Sequence, residues 1–162
     1  MTAGMGQRAG GASGSAHLFL REEEMRLGYE AMLRAGRELA QICGDCLQQE
    51  KIGPAHQRVL FLIATHPGIT MSGLLTVLAI TKQSLNRVLQ ELVERGFVER
   101  RTRAADLRLK LLHLTETGTA LEARLFDLQR ERMTRAYREA GGQAVDGFRR
   151  VLALLAMGPE RI

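Results

Sequence analysis

Between Thr81 and Gln90 the chain reads TKQSLNRVLQ, and most of these side chains suit the edges of bases or the phosphates between them. Gln83, Asn86 and Gln90 each carry a donor and an acceptor that match adenine, while Lys82 and Arg87 reach guanine or phosphate. Thr81 stands where a helix would begin. Its hydroxyl can cap the helix, touch a phosphate beside the helix's first amides, or do both. Ser84 shares this polar group. The plainer reading of each residue is a solvated helix face.

A second cluster follows. Arg100, Arg101, Arg103 and Arg108 lie close together, with Glu99 and Asp106 as the nearby acids. A narrow minor groove attracts arginine. Asp106 and Arg108 are two residues apart: either Asp106 orients Arg108 and braces a loop, or the two form a surface ion pair worth ~0–1 kcal/mol. Residues 80–115 hold 8 basic and 4 acidic groups, whereas residues 19–50 hold 4 and 7. A positive excess gathered in one stretch suits an anion-binding surface.

Cys43 and Cys46 form C-G-D-C, open to three readings: buried packing, thiol-based redox sensing, or metal binding. Three apart on a helix, their Cβ atoms would lie about 5–6 Å apart, against about 3.8 Å in a disulfide. A metal would need about two more ligands. His56 and His66 are the nearest by sequence, each near a helix end. His56 and His113 read better as structural residues, and Met25 and Met32 as core or pocket lining. G-x-S-x-G, P-loop and H-E-x-x-H motifs are all missing from the sequence, so neither an enzyme nor a bound cofactor or metal is expected.

These residues need elements to hold them. Apolar residues at three- and four-residue steps predict a long helix over Glu22–Gln49, a second over Ala55–His66, and a short third over Met71–Leu78 capped by Thr70. Leu85, Val88, Leu89, Leu92 and Val93 give the helix Lys82–Arg95 one apolar face, opposite the polar side chains above. Phe97–Arg101 and Leu109–Leu114 predict two strands joined by a polar loop, Thr102–Arg108. Two helices close the chain, from Thr115 to Ala140 and from Gln143 to Met157, with Gly141-Gly142 between them. Short helices followed by a hairpin describe a winged helix-turn-helix, with Lys82–Arg95 as its recognition helix.

The chain has 162 residues, 4% of them aromatic and none tryptophan, so a stacking platform for single strands is not expected. The apolar stretch Leu74–Ile80 is interrupted by Thr76 and far too short to span a membrane. Five of the first seventeen residues are glycine and Arg8 is their only charge, which predicts a disordered tail over residues 1–18. With no apolar leader at the N-terminus and only two cysteines, a cytoplasmic location is expected. The remaining regions are a winged helix-turn-helix, residues 53–115, and a helical dimerisation region formed by 19–52 and 116–162. The terminal helices carry apolar faces that have no evident partner within one chain, which a second copy would cover.

The stretches GITMSGLL (68–75), ITKQSLNRVLQEL (80–92), RGFVERR (95–101), DLR (106–108) and LTETG (114–118) resemble the MarR family of bacterial transcriptional regulators. The resemblance runs from about residue 20 to 157. ITKQSL and GPAHQR are most similar to its PetP-type subgroup. It implies a homodimer that reads a pseudo-palindromic operator in double-stranded DNA, with Asp106 and Arg108 as the wing pair. It also implies a small-molecule effector, often phenolic or lipophilic, held between the winged domain and the dimer helices, and repression relieved by that effector. The family usually has D-R-R at the wing; here Leu107 takes the middle place. Two other functions stay open at this point: a redox-sensing regulator acting through Cys43 and Cys46, and a winged-helix module that binds protein.

Overall fold

The computed structural model describes residues 18–103 and 106–157, with Leu18, Arg103 and residues 106–109 described by backbone alone. The tail expected over residues 1–18 lies outside these residues but for Leu18. A 3-10 turn, Leu18–Leu20, precedes α1 (Glu22–Gln41), α2 (Gly44–Gln49), α3 (Pro54–Thr65), α4 (Met71–Leu78) and α5 (Lys82–Glu94). The strands β1 (Val98–Arg103) and β2 (Asp106–Leu114) follow, then α6 (Glu116–Ala140) and α7 (Gly142–Ala156). The fold is mainly helical with one antiparallel hairpin, as the sequence predicts. Two compact units divide between Leu39 and Ala40.

The first unit holds most of α1. Glu22, Glu23 and Glu24 occupy its first turn, where they complement the helix dipole. Arg26 pairs with Glu22 and Arg34 with Glu30, each one turn apart. No residue of α1 is buried, and Met25, Leu27, Tyr29 and Leu33 are exposed.

The single helix expected over Glu22–Gln49 is two. The chain turns at Ile42–Cys43 and resumes helix at Gly44. Glycine costs roughly 1 kcal/mol in a helix interior, so Gly44 makes the break cheap. Cys43 is meanwhile held against the core by two sulfur contacts described below.

The second unit has one core. Cys43, Cys46 and Leu47 pack with Val59, Leu60 and Ile63 of α3, Leu74 of α4, and Leu85, Leu89 and Leu92 of α5. Val98, Leu112, Leu121 and Leu125 close it from the hairpin and α6. Three threonines start three helices in the same way. Thr70, Thr81 and Thr115 each accept the amide N–H three residues on, from Gly73, Ser84 and Gly118.

The joint between α5 and α6 is tight. Thr115 and Thr117 both donate to the carbonyl of Gly96, at 2.6 and 3.0 Å. A Cβ on Gly118 would stand 1.9 Å from the carbonyl oxygen of Phe97, so only glycine fits there.

The hairpin runs further than its apolar pattern. Pairing continues from Val98↔Leu114 to Thr102↔Lys110 and, past an irregularity, ends at Arg103↔Asp106. Thr102, Arg103, Asp106, Leu107 and Arg108, expected in a loop, therefore belong to strands by backbone, and residues 104–105 lie outside the described residues. Ladder bonds join backbone groups, and an antiparallel hairpin open to solvent tolerates polar side chains. Leu112 also bridges to Ile69: Gly68 N–H donates to the Leu112 carbonyl, and Leu112 N–H to that of Ile69.

Candidate nucleic-acid interface

The turn between α4 and α5 has three residues. Ala79 ends α4 in the left-handed region, at φ 50°, and Thr81 caps α5. Non-glycine residues seldom adopt this conformation, but here it aims α5 across α4 within one short connection. Leu85, Leu89 and Leu92 then bury one face of α5 completely. The helix period leaves Lys82, Gln83, Ser84, Asn86, Arg87 and Gln90 exposed on the other side.

The exposed side chains are not equally free. Thr81 donates to the Ser84 hydroxyl at 2.9 Å while it accepts the Ser84 amide, so these two hydroxyls serve the helix start. Gln90 donates to Glu94 at 2.8 Å and Arg87 Nε to Glu91 at 3.2 Å. The side chains of Lys82, Gln83 and Asn86 make no hydrogen bond or ion pair among the described residues. The amides of Lys82 and Gln83, ahead of the first intrahelical bonds, have no helical acceptor.

On β1, Arg101 Nε donates to Glu99 at 2.9 Å, and both side chains sit on one face of the strand. Arg100 is exposed, with no partner among the described residues. Arg103, Asp106 and Arg108 are placed by backbone near the hairpin's end, with Arg103 paired to Asp106.

Sequence reading treated His56 as structural and passed over Glu91. The structure joins them. His56 Nδ1 accepts the Gly53 N–H at 3.1 Å, closing the start of α3, which puts the ring proton on Nε2. That proton goes to Glu91 Oε2 at 2.8 Å. The hydrogen bond from His56, and then that from Arg87, hold the Glu91 carboxyl below the usual glutamate range. The four-residue spacing of Arg87 and Glu91 was the available signal; the link to His56 crosses 35 residues and leaves none.

Cys43 is fully buried. Gln57 donates to its sulfur at 3.1 Å, and its own S–H faces the Leu125 carbonyl at 3.4 Å. Burial pushes the Cys43 thiol above its ordinary range; the Gln57 bond offsets part of this, and the nearby Cys46 adds to it. Cys46 lies beside Arg124, whose other nitrogen meets Glu50 at 3.0 Å. Both thiols are free. His56 turns its two nitrogens to Gly53 and Glu91, and His66 is bonded to Thr65, so neither joins the cysteines.

Two cavities are relevant. A groove of about 620 Å³ runs along α6, lined by charged residues such as Arg130 and Arg135, each paired with an acid on its own helix. Between α3 and α6, Gln57, Phe61, Glu122, Leu125, Phe126 and Gln129 line a space of about 10 Å³. Burial, then the proximity of Asp127, raises the Glu122 carboxyl above the glutamate range. No helix among the described residues is long and apolar enough to cross a membrane.

A family model described as MarR family matches residues 51–109. The HTH-type transcriptional regulator PetP of Rhodobacter capsulatus is 48% identical over 143 residues, 88% of this chain and 86% of that protein. Among solved structures, a mutant MarR from E. coli complexed with operator DNA is similar over 85% of this chain and 97% of its own, with TM-score 0.62 and 25% identity. A MarR family transcription regulator gives TM-score 0.69 over 85% of this chain and 92% of its own; at 19% identity it speaks to the fold.

Proposed function

The chain belongs to the MarR family of transcriptional regulators, and from that premise we propose that it represses transcription by binding double-stranded DNA as a homodimer. In this reading α5 enters the major groove. Lys82, Gln83, Asn86 and Arg87 meet bases or phosphates, and Thr81 and Ser84 hold the helix start against the backbone. Arg103 and Arg108 lie along the adjacent minor groove, with Asp106 bracing Arg108.

The observation that carries the proposal is the two-sided nature of α5. Its leucines are sealed in the core while Lys82, Gln83 and Asn86 remain exposed and unpaired among the described residues. Such a face suits a polar, anionic partner better than a protein surface, whose buried centre is depleted of charge. The MarR mutant solved with operator DNA supports the same reading. So does α7, where Phe148, Val151, Leu152, Leu154 and Leu155 are exposed and none is buried, a face suited to a second copy. Two copies would read an inverted repeat whose half-sites lie about one DNA turn apart.

An effector would act by changing the separation of the recognition helices. The α3–α6 space, at about 10 Å³, holds roughly one water. A small-molecule effector entering there must part α3 from α6, and α3 also packs against α5. That supports coupling between the seam and the reading helix.

Selection of genomic fragments by the purified protein, followed by sequencing, tests the proposal. The expected result is an enriched inverted repeat whose affinity falls steeply with salt. Retention of no sequence at low salt overturns it. Arg108→Ala is expected to weaken binding without lowering the melting temperature; normal binding would remove the wing assignment.

A further inference from the structure

We propose that Glu91 is a positioning residue for base reading, anchored by His56 so that it presents the free end of Arg87 to one guanine. The inference rests on the DNA-reading role proposed for α5.

A carboxylate on a helix that approaches phosphates opposes binding, so Glu91 needs a compensating role. Its two oxygens have separate tasks. Oε2 takes the proton of His56 Nε2 at 2.8 Å, and Oε1 takes Arg87 Nε at 3.2 Å. Exposure grades along the chain of contacts: 12% for the His56 side chain, 36% for Glu91, 85% for Arg87. The anchor is therefore largely shielded and the tip is in solvent. His56 is itself fixed at both nitrogens, because Nδ1 holds the Gly53 amide at the start of α3.

The atom used on Arg87 matters. Contact through Nε leaves both Nη groups free, and those can meet O6 and N7 of guanine as a pair. Arg101 shows the contrast, since it gives both Nε and Nη2 to a single oxygen of Glu99. A guanidinium whose plane is already set loses less freedom when it binds. Glu91 thus trades general affinity for choice at one base pair.

The test is a double-mutant cycle. Dissociation constants are measured by fluorescence anisotropy for wild type, Glu91→Ala, Arg87→Ala and the double variant. The DNAs are the sequence that wild type selects, its single-base-pair variants, and an unrelated duplex. Glu91→Ala is expected to lose about tenfold discrimination at one base pair, the pair at which Arg87→Ala loses it. The double variant should be no worse there than Arg87→Ala, and Glu91→Ala should hold the unrelated duplex at least as tightly as wild type. Glu91→Gln keeps an acceptor for Arg87 and should restore part of the discrimination; it also serves if Glu91→Ala melts early by circular dichroism.

Full discrimination in Glu91→Ala, or losses that add in the double variant, would overturn the inference. So would an Arg87→Ala loss equal on every DNA, which marks a phosphate contact. In those cases wild type still selects a sequence and the DNA-reading role stands. If wild type selects no sequence, both fall together.

Discussion

Helices α5 and α7 carry the same kind of pattern and end in opposite states. In α5, Leu85, Leu89 and Leu92 are wholly buried and the opposite face is polar. In α7 no residue is buried, and Leu152 and Leu155 are 39% and 63% exposed. An apolar stripe tells that a helix wants a partner; it does not tell whether the partner lies in the same chain. What faces outward then separates the two. Outside α5 are an amine, amides and a guanidinium, which call for an ionic partner. Outside α7 are leucine, valine and phenylalanine, which call for an apolar one.

Uncovering α7 further is the strongest way to break this contrast. Leu152→Glu with Leu155→Glu should turn a dimer into a monomer in sedimentation velocity. Affinity for an inverted repeat should then fall by about 10²–10⁴-fold, because the two half-sites no longer share one binder. A doubly substituted protein that stays dimeric would mean that α7 meets something else. The matching change on the other helix is Leu89→Ala. It leaves a cavity in a sealed core and should cost about 2–5 kcal/mol in urea denaturation, with dimer and monomer compared at fixed protein concentration.

The contrast also marks what could be read in the sequence. Thr70 and Thr81 were legible as caps because a cap is a contact between residues three apart, while Thr115, read as the first residue of its helix, caps α6 in the same way. The exposed face of α5 was legible because one period of 3.6 decides which side each residue takes. The turn at Ile42–Cys43 was not, since it follows from where Cys43 packs against Gln57 and Leu125. Nor was strand pairing through Thr102 and Arg103, where the partner strand rather than side-chain pattern carries the ladder. At the candidate site, residue choice was legible and residue freedom was not. Nothing in the choice of residue types told that Arg87, Gln90 and Arg101 would each meet an acid, as they do at Glu91, Glu94 and Glu99.

A smaller effect sharpens the α5 side. The folded-state carboxyl of Glu91 titrates below the ordinary glutamate range, held there first by His56 and then by Arg87. In acid the unfolded chain binds this proton before the folded one does. The stability that Glu91 contributes is therefore complete above the ordinary range and is lost as pH falls through the lowered value. Urea denaturation followed between about pH 6 and pH 3 should show a shallower acid decline in Glu91→Gln than in wild type. Parallel curves would mean that the bonds to His56 and Arg87 do not distinguish the two states of the carboxyl.

The smallest expected effect is none at all, and it bears on the cysteines. A thiol reacts as thiolate, and Cys43 is buried, raised in pKa, and bonded at sulfur to Gln57 and Leu125. A sensor thiol needs access and an easily lost proton, and Cys43 has neither. Peroxide should leave DNA affinity unchanged, and an alkylating reagent should label Cys43 only as fast as the protein unfolds. Cys46 tests the boundary of this argument, because Arg124 stands 3.6 Å from its sulfur. Rapid labelling of Cys46 in the folded state, with DNA released by peroxide and the release abolished in Cys46→Ser, would restore redox sensing. It would also make the packed side of the second unit, as well as its solvent face, part of how the protein responds.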